Sequence, residues 1–263
     1  DFLTDAIRQV APGVTDPTQV QDADTCQLGA ITVTDGGTNG TDSLDLIYAL
    51  GGVITAVANP YLTGTSLTVV DASQLSAGDR ILVSNLSQGH LFTIQSKSGN
   101  TLTLSSLCSA IVLPAAGYPA GSLVIRAQHA TFSIGTIAGD PTPMLLMDPD
   151  SGGTAPAEPI ADGVEDLQVS VGIDTATDGV GNPVGTGAGD DEWIYNVAGE
   201  TPTAGTYRAV RVTLVARSVG QLVGGGTVST RPKIEDHAIG TADHYRRRIL
   251  SAMVEMRNSG VSP

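Results

Sequence analysis

Residues 160–174, IADGVEDLQVSVGID, limit the fold more tightly than any other stretch of the chain. Leu167, Val169, Val171 and Ile173 alternate with Gln168, Ser170, Gly172 and Asp174. A period of two puts one set on each side of a pleated strand, whereas a helix would scatter both sets around its axis. In the lead-in, Gly163 supplies backbone freedom, and Glu165 and Asp166 are expected to stay solvated. The pattern therefore predicts a strand buried on one face. It returns at 209–217, where Val210, Val212, Leu214 and Ala216 alternate with Arg211, Thr213, Val215 and Arg217. With 32 glycines and 15% charged residues in a chain of 263, the composition favours many short strands joined by glycine turns.

More strands are expected at 29–34 (GAITVT) and 43–50 (SLDLIYAL), separated by the turn-rich GGTNGTD. The region 60–126 reads as a run of strands with turns at Ala77-Gly78-Asp79 and Ser98-Gly99-Asn100. HATFSIG and PMLLMD follow as two further strands. Helical spacing is seen at the start, where Phe2, Leu3, Ala6, Ile7 and Val10 recur three to four apart until Pro12-Gly13 stops the pattern. Residues 245–258 fit both periods. Tyr245, Ile249, Met253 and Met256 share a helical face, but Leu250, Ala252, Val254 and Met256 alternate as in a strand.

Net charge is −14 and unevenly spread. Residues 207–263 hold nine Lys or Arg against four acids, leaving four bases against twenty-three acids in residues 1–206. So acidic a body repels a phosphate backbone, and no nucleic-acid partner is expected; Arg246-Arg247-Arg248 reads as a strand edge blunted by charge. No apolar run approaches the ~20 residues that span a bilayer. Nucleophile elbows, H-E-x-x-H, P-loop and dinucleotide motifs are missing, and His90, His129, His237 and His244 are too scattered for metal or catalytic spacing. The expectation is a protein that is not an enzyme.

Several phrases in fixed order resemble a family. "GVEDLQV…GID", then "AVRVTLVARS", then "RRRILSAMVEMRN", with "GTDSLDLIYA" and "GDRILVSN…LFTI" upstream, are similar to the PilW-type minor pilins of bacterial type IV pili and to the related J-type pseudopilins of type II secretion. DFLTDAIRQVAPG resembles the last turns of the pilin helix that leads into the globular head, with the preceding hydrophobic segment lacking. A mature protein cut after a conventional signal peptide is the alternative at this end. The resemblance implies an α+β, mostly β fold: a pilin-like head in which the end of the N-terminal helix packs on antiparallel sheet. One head would span 1–263, with the helix end at 1–12, a β-rich elaboration at 60–126 and the C-terminal sheet region at 127–263. It also settles residues 245–258 in favour of a strand.

The implied role is structural, in the priming complex at the pilus tip. Expected partners are other minor pilins, the major pilin and a large PilY-type tip adhesin, and Phe2, Leu3 and Ile7 are the candidate subunit interface. The full-length form would be anchored in the inner membrane before assembly and then extracellular at the tip. The alternatives are a type II secretion pseudopilin or a free exported adhesive or carbohydrate-binding β-protein. Export makes a Cys26–Cys108 disulfide the natural expectation for the two cysteines. In the loop DTATDGVGNPVGTGAGDDEW, Asp174, Asp178, Asp190 and Asp191 are candidate calcium ligands; a solvated loop is the simpler reading, since the alternating D-x-D-x-D-G pattern is lacking. Trp193, which ends that loop, is expected to anchor a core or an interface.

Overall fold

The structure, a computed structural model, describes residues 2–174, 193–197, 206–218, 220–221 and 228–256. It is mostly β, with 54% of residues in strands and 6% helical. The expected pilin-like arrangement of a helix packed on sheet is not what forms. Among the described residues the single α-helix, α1, runs only from Phe2 to Arg8. Its last turn tightens through Gln9 N–H to Ala6 O and Val10 N–H to Ile7 O, and Ala11 (φ 50°) and Gly13 (φ 69°) then turn the chain away. Seven residues are too few for a helix to persist on its own propensity. Leu3 and Ile7 are buried, while Phe2 is 48% exposed.

Two compact units are present. Among the described residues, the first comprises 2–32 and 46–129, and the second 33–45 and those of 130–256. The strands in chain order are β1 (Val20–Asp22), β2 (Ile31–Thr34), β3 (Ser43–Ala56), β4 (Ser66–Thr68), β5 (Arg80–Ser84), β6 (Gly89–Ser98), β7 (Thr101–Leu104) and β8 (Leu123–Ile137). They continue with β9 (Asp140–Asp148), β10 (Glu158–Asp162), β11 (Val164–Asp174), β12 (Trp193–Ile194), β13 (Thr206–Arg217), β14 (Ser229–Thr230), β15 (Ala242–Asp243) and β16 (Arg247–Glu255).

In the first unit β5, β6 and β7 form antiparallel neighbours, β4 closes on β7, and β1 joins β6 in parallel. Gly99, at φ 58°, makes the tight β6–β7 turn. The region 60–126 lies wholly inside this unit and supplies Leu67, Leu75, Ile81, Phe92, Leu102 and Tyr118 to a core that Ala23 and Val57 complete. Side chains of this size each contribute roughly 1.5 to 3 kcal/mol when fully buried. Cys26 and Cys108 are joined, with their Cα atoms 5.7 Å apart. The bond spans a sequence separation of 82, for which loop closure is worth about 4 to 5 kcal/mol.

The second unit is organised on an antiparallel sheet of order β12-β11-β13-β16. Leu167, Val169 and Val171 stand opposite Leu214, Val212 and Val210, which in turn stand opposite Leu250, Ala252 and Val254. The apolar set predicted from alternation thus forms one continuous face. Residues 247–255 take the strand option of the two that their sequence allows, because pairing with β13 rewards the period of two. Gly163 stands just before β11 at φ 71°, and a Cβ there would lie 2.6 Å from the carbonyl oxygen of Arg217. Only glycine fits that approach.

Candidate functional site

The second face of the β11–β13 sheet is polar yet buried. Asp166, Gln168 and Ser170 on β11 and Thr213 on β13 are all under 5% exposed. The expectation that Glu165 and Asp166 stay solvated is corrected. Asp166 has no exposed side-chain surface, and that of Glu165 is 9% exposed. The cover comes from segments remote in sequence, residues 35–42 and 229–238.

Asp166 is the anchor of that cover. One carboxylate oxygen accepts from Arg231 Nη1 at 2.8 Å; the other accepts from Gln168 Nε2 at 3.0 Å and lies 3.0 Å from His237 Nδ1. Gln168 Nε2 also reaches Gly40 O at 3.2 Å. Beside it, Arg211 makes a two-pronged pair with Glu235, at 2.9 and 2.8 Å, and lays its guanidinium over the Trp193 ring at 4.6 Å. Trp193 is therefore a buried anchor at the sheet's edge, 2% exposed. A buried carboxylate held by an arginine and further donors is tolerated only because its lone pairs are met.

Asp42 docks the other covering loop. Its carboxylate accepts from Gly36 N at 2.9 Å and Val169 N at 2.7 Å, while its own N–H donates to Leu167 O at 2.9 Å. Burial pushes this carboxyl up to about 7 against the pull of those two amides, and the neighbouring Asp35 and Asp236 add to the rise. Asp236, 5% exposed, is pushed up as well, by burial and then by Asp35. Both oxygens of Asp166 and of Asp42 are thus taken by groups of the protein itself. The arrangement pins loops to a sheet rather than presenting a free base.

At the start of β16, Arg247 joins Glu165 and Asp243; the contact to Asp243 Oδ2 is 2.5 Å. Its guanidinium is held firmly charged by Asp243 and then Glu165. Arg246 and Arg248 are exposed. Of the arginine triple, the middle one is therefore a structural pin and the outer two face water.

The first unit has its own buried charge cluster. Asp22, fully buried, accepts from Arg80 Nη2 at 2.6 Å and lies 2.6 Å from His129 Nδ1. Burial alone would raise its carboxyl, but His129 and Arg80 override that and hold it well below the ordinary carboxylate range. The cluster stands next to the disulfide: Cys26 N donates to Asp22 O, and Cys108 N donates to Ala23 O. His90 is buried against the Tyr118 hydroxyl and Gln21, and burial lowers it to about 4. Three of the four histidines are thus packed side chains, His90 and His129 at 1% exposure and His237 at 7%.

Among the residues singled out from sequence, Cys26 and Cys108 are brought together. Leu3 and Ile7 are interior to the first unit, so of the proposed interface trio only Phe2 offers surface. Asp178, Asp190 and Asp191, and the side chain of Asp174, lie outside the described residues. Among the described residues no group of three or more His, Cys, Asp or Glu is arranged to hold a metal, and no helix is long and apolar enough to cross a membrane. Asp42, Arg231 and His237 carried no signal in the sequence, because their partners lie tens of residues away. Neither a curated protein nor a solved structure matches the chain. Residues 131–258 match the family model of PilW, described as type IV pilus-assembly protein W, which marks the sheet of β11, β12, β13 and β16 as PilW-like.

Proposed function

We propose that the protein is a non-enzymatic structural subunit of type IV pilus assembly that takes part in the complex priming fibre growth at the pilus tip. The observation that carries this reading is the PilW match over residues 131–258, which indicates involvement in pilus assembly. The pinned loops add support, since interlocked ion pairs suit a rigid docking body. In this reading the partners are other minor pilins and the major pilin, and a large PilY-type adhesin is presented at the tip. The subunit resides in the cell envelope, anchored in the inner membrane until it is incorporated.

The test is deletion of the gene followed by counting surface pili by electron microscopy, with complementation by the wild-type gene. Loss and restoration of pili are expected. Intact pili in the deletion strain would overturn the reading, and a defect in protein secretion instead would assign the subunit to a type II secretion machine. Within the complemented strain, Phe2→Glu is the informative variant, because Ile7 is fully buried and a charge there would unfold the first unit. Phe2→Glu should reduce co-purification of other minor pilins while leaving the melting temperature unchanged.

A further inference from the structure

The segments 35–42 and 229–238 meet over the polar face of the β11–β13 sheet, where Ala238 N–H donates to Thr38 O at 3.0 Å. Most of the charge at this meeting point is matched. Arg231 holds Asp166, which also faces His237, and Arg211 holds Glu235. Asp42 is met by the amides of Gly36 and Val169, and Asp35 by the amide of Gly37 at 2.6 Å. Asp236 is the exception. It is 5% exposed, and among the described residues neither of its carboxylate oxygens has a hydrogen-bond partner. An enclosed carboxylate that nothing meets is too costly to keep, so the group has to be neutral or to share whatever neutralises it.

The groups that face Asp236 are Asp35 and Asp42 from the opposite segment and His237 from its own, and the Tyr195 phenol stands near Asp35. Two ionised carboxylates are acceptors only, so Asp35 and Asp236 cannot satisfy each other as a pair of anions. One proton changes that. A protonated carboxyl donates to a neighbouring carboxylate, and such charge-assisted bonds are short and strong.

We propose that Asp236 and Asp35 share one proton, and that the resulting carboxyl–carboxylate bond is a clasp that holds the two segments closed over the sheet and opens when the proton leaves. The proton resides on Asp236, the more enclosed of the two, while Asp35 keeps its amide from Gly37. Its loss leaves Asp35, Asp42 and Asp236 as three mutually repelling anions, with Arg211 and Arg231 already committed to Glu235 and Asp166. Opening then uncovers the buried polar row of Asp166, Gln168 and Ser170.

Burial and Asp35 both raise the Asp236 carboxyl, and the opposing pull of its own amide and of His237 does not cancel them. The closed form therefore binds the proton more tightly than the open one. The clasp is complete below the ordinary carboxylate value of 3.8 and weakens as pH rises from there. One proton's worth is a ~tenfold rise in the opening equilibrium per pH unit, levelling off once the closed-state value is passed.

Hydrogen exchange of the purified protein, read at the Ala238 amide and corrected for the intrinsic rate at each pH, measures that opening. The wild type should lose protection as pH rises. Asp236→Asn puts an amide donor where the hydroxyl stands and cannot release it, so its slope should be shallower by one proton's worth, ~tenfold per pH unit, with the segment still protected at high pH. Asp35→Asn should act likewise from the other side. Asp42 titrates beside the pair, so Asp42→Asn combined with Asp236→Asn should be flatter than Asp42→Asn alone. A merely structural Asp236 would shift the curve without changing its slope. Equal slopes in wild type and Asp236→Asn, or a double variant no flatter than Asp42→Asn, would overturn the proposal. So would recovery of protection at high pH on adding calcium chloride to the wild type but not to Asp236→Asn, because the pair would then be a cation site.

Discussion

Asp42 and Asp22 show how two buried aspartates can respond to pH in opposite senses. The folded state holds the Asp42 carboxyl near 7, against an ordinary value of 3.8. It therefore binds a proton more readily than the unfolded chain does, and the stability this contributes is full below about pH 4 and lost as pH rises through about 7. Asp42→Asn should flatten that fall, which calorimetric melting temperatures measured across the range would reveal. An unchanged slope would remove Asp42 from the account. For Asp22 the sign reverses. Its folded-state affinity for protons is lowered, so its stabilisation is present above the ordinary carboxylate range and is lost as pH falls below it. Asp22→Asn leaves Arg80 with only its longer contact to Asp24, at 3.7 Å, and breaking the buried pair should cost about 3 kcal/mol, the low end for such a loss. Urea denaturation at neutral pH should record a loss of that order.

At the scale of elements, what the sequence disclosed depended on how local the cause was. The apolar face of β11 and β13 was readable because Leu167, Val169, Val212 and Leu214 declare it within a few residues of one another. The polar face was not. Gln168 and Asp166 look solvent-facing until Arg231 and His237 arrive from 65 and 71 residues further on, a distance periodicity does not sense. At the start of the chain the three-to-four spacing marked the face that α1 buries, with Leu3, Ala6 and Ile7, but it did not disclose that the fold around it is mostly β rather than a helix packed on sheet. For β16 both periods were written in the residues, and its hydrogen-bonding neighbour β13 decided between them. Gly163 offers a test at this scale. Gly163→Ala forces a Cβ against Arg217 O in a left-handed backbone conformation, and about 1 to 3 kcal/mol should be lost from thermal stability. A neutral effect would mean that the β11 start can shift without consequence.

In the whole molecule, the described residues of the PilW match fall in one unit, and the disulfide lies in the other. That bond has a mechanical consequence. Tension applied between the two ends of the chain would pass from Cys26 to Cys108 through the sulfur bridge, and the strands β2 to β7 enclosed between them would carry no share of the final extension. Pulled in an oxidised state, the chain should fall short of its reduced contour length by about 280 Å, the reach of some 82 extended residues. Single-molecule force spectroscopy with and without reductant measures that difference directly, and equal lengths would rule the shortcut out. Full extension is never reached by Leu67, Leu75, Ile81, Phe92 and Leu102, the part of the core that lies inside the bridged loop.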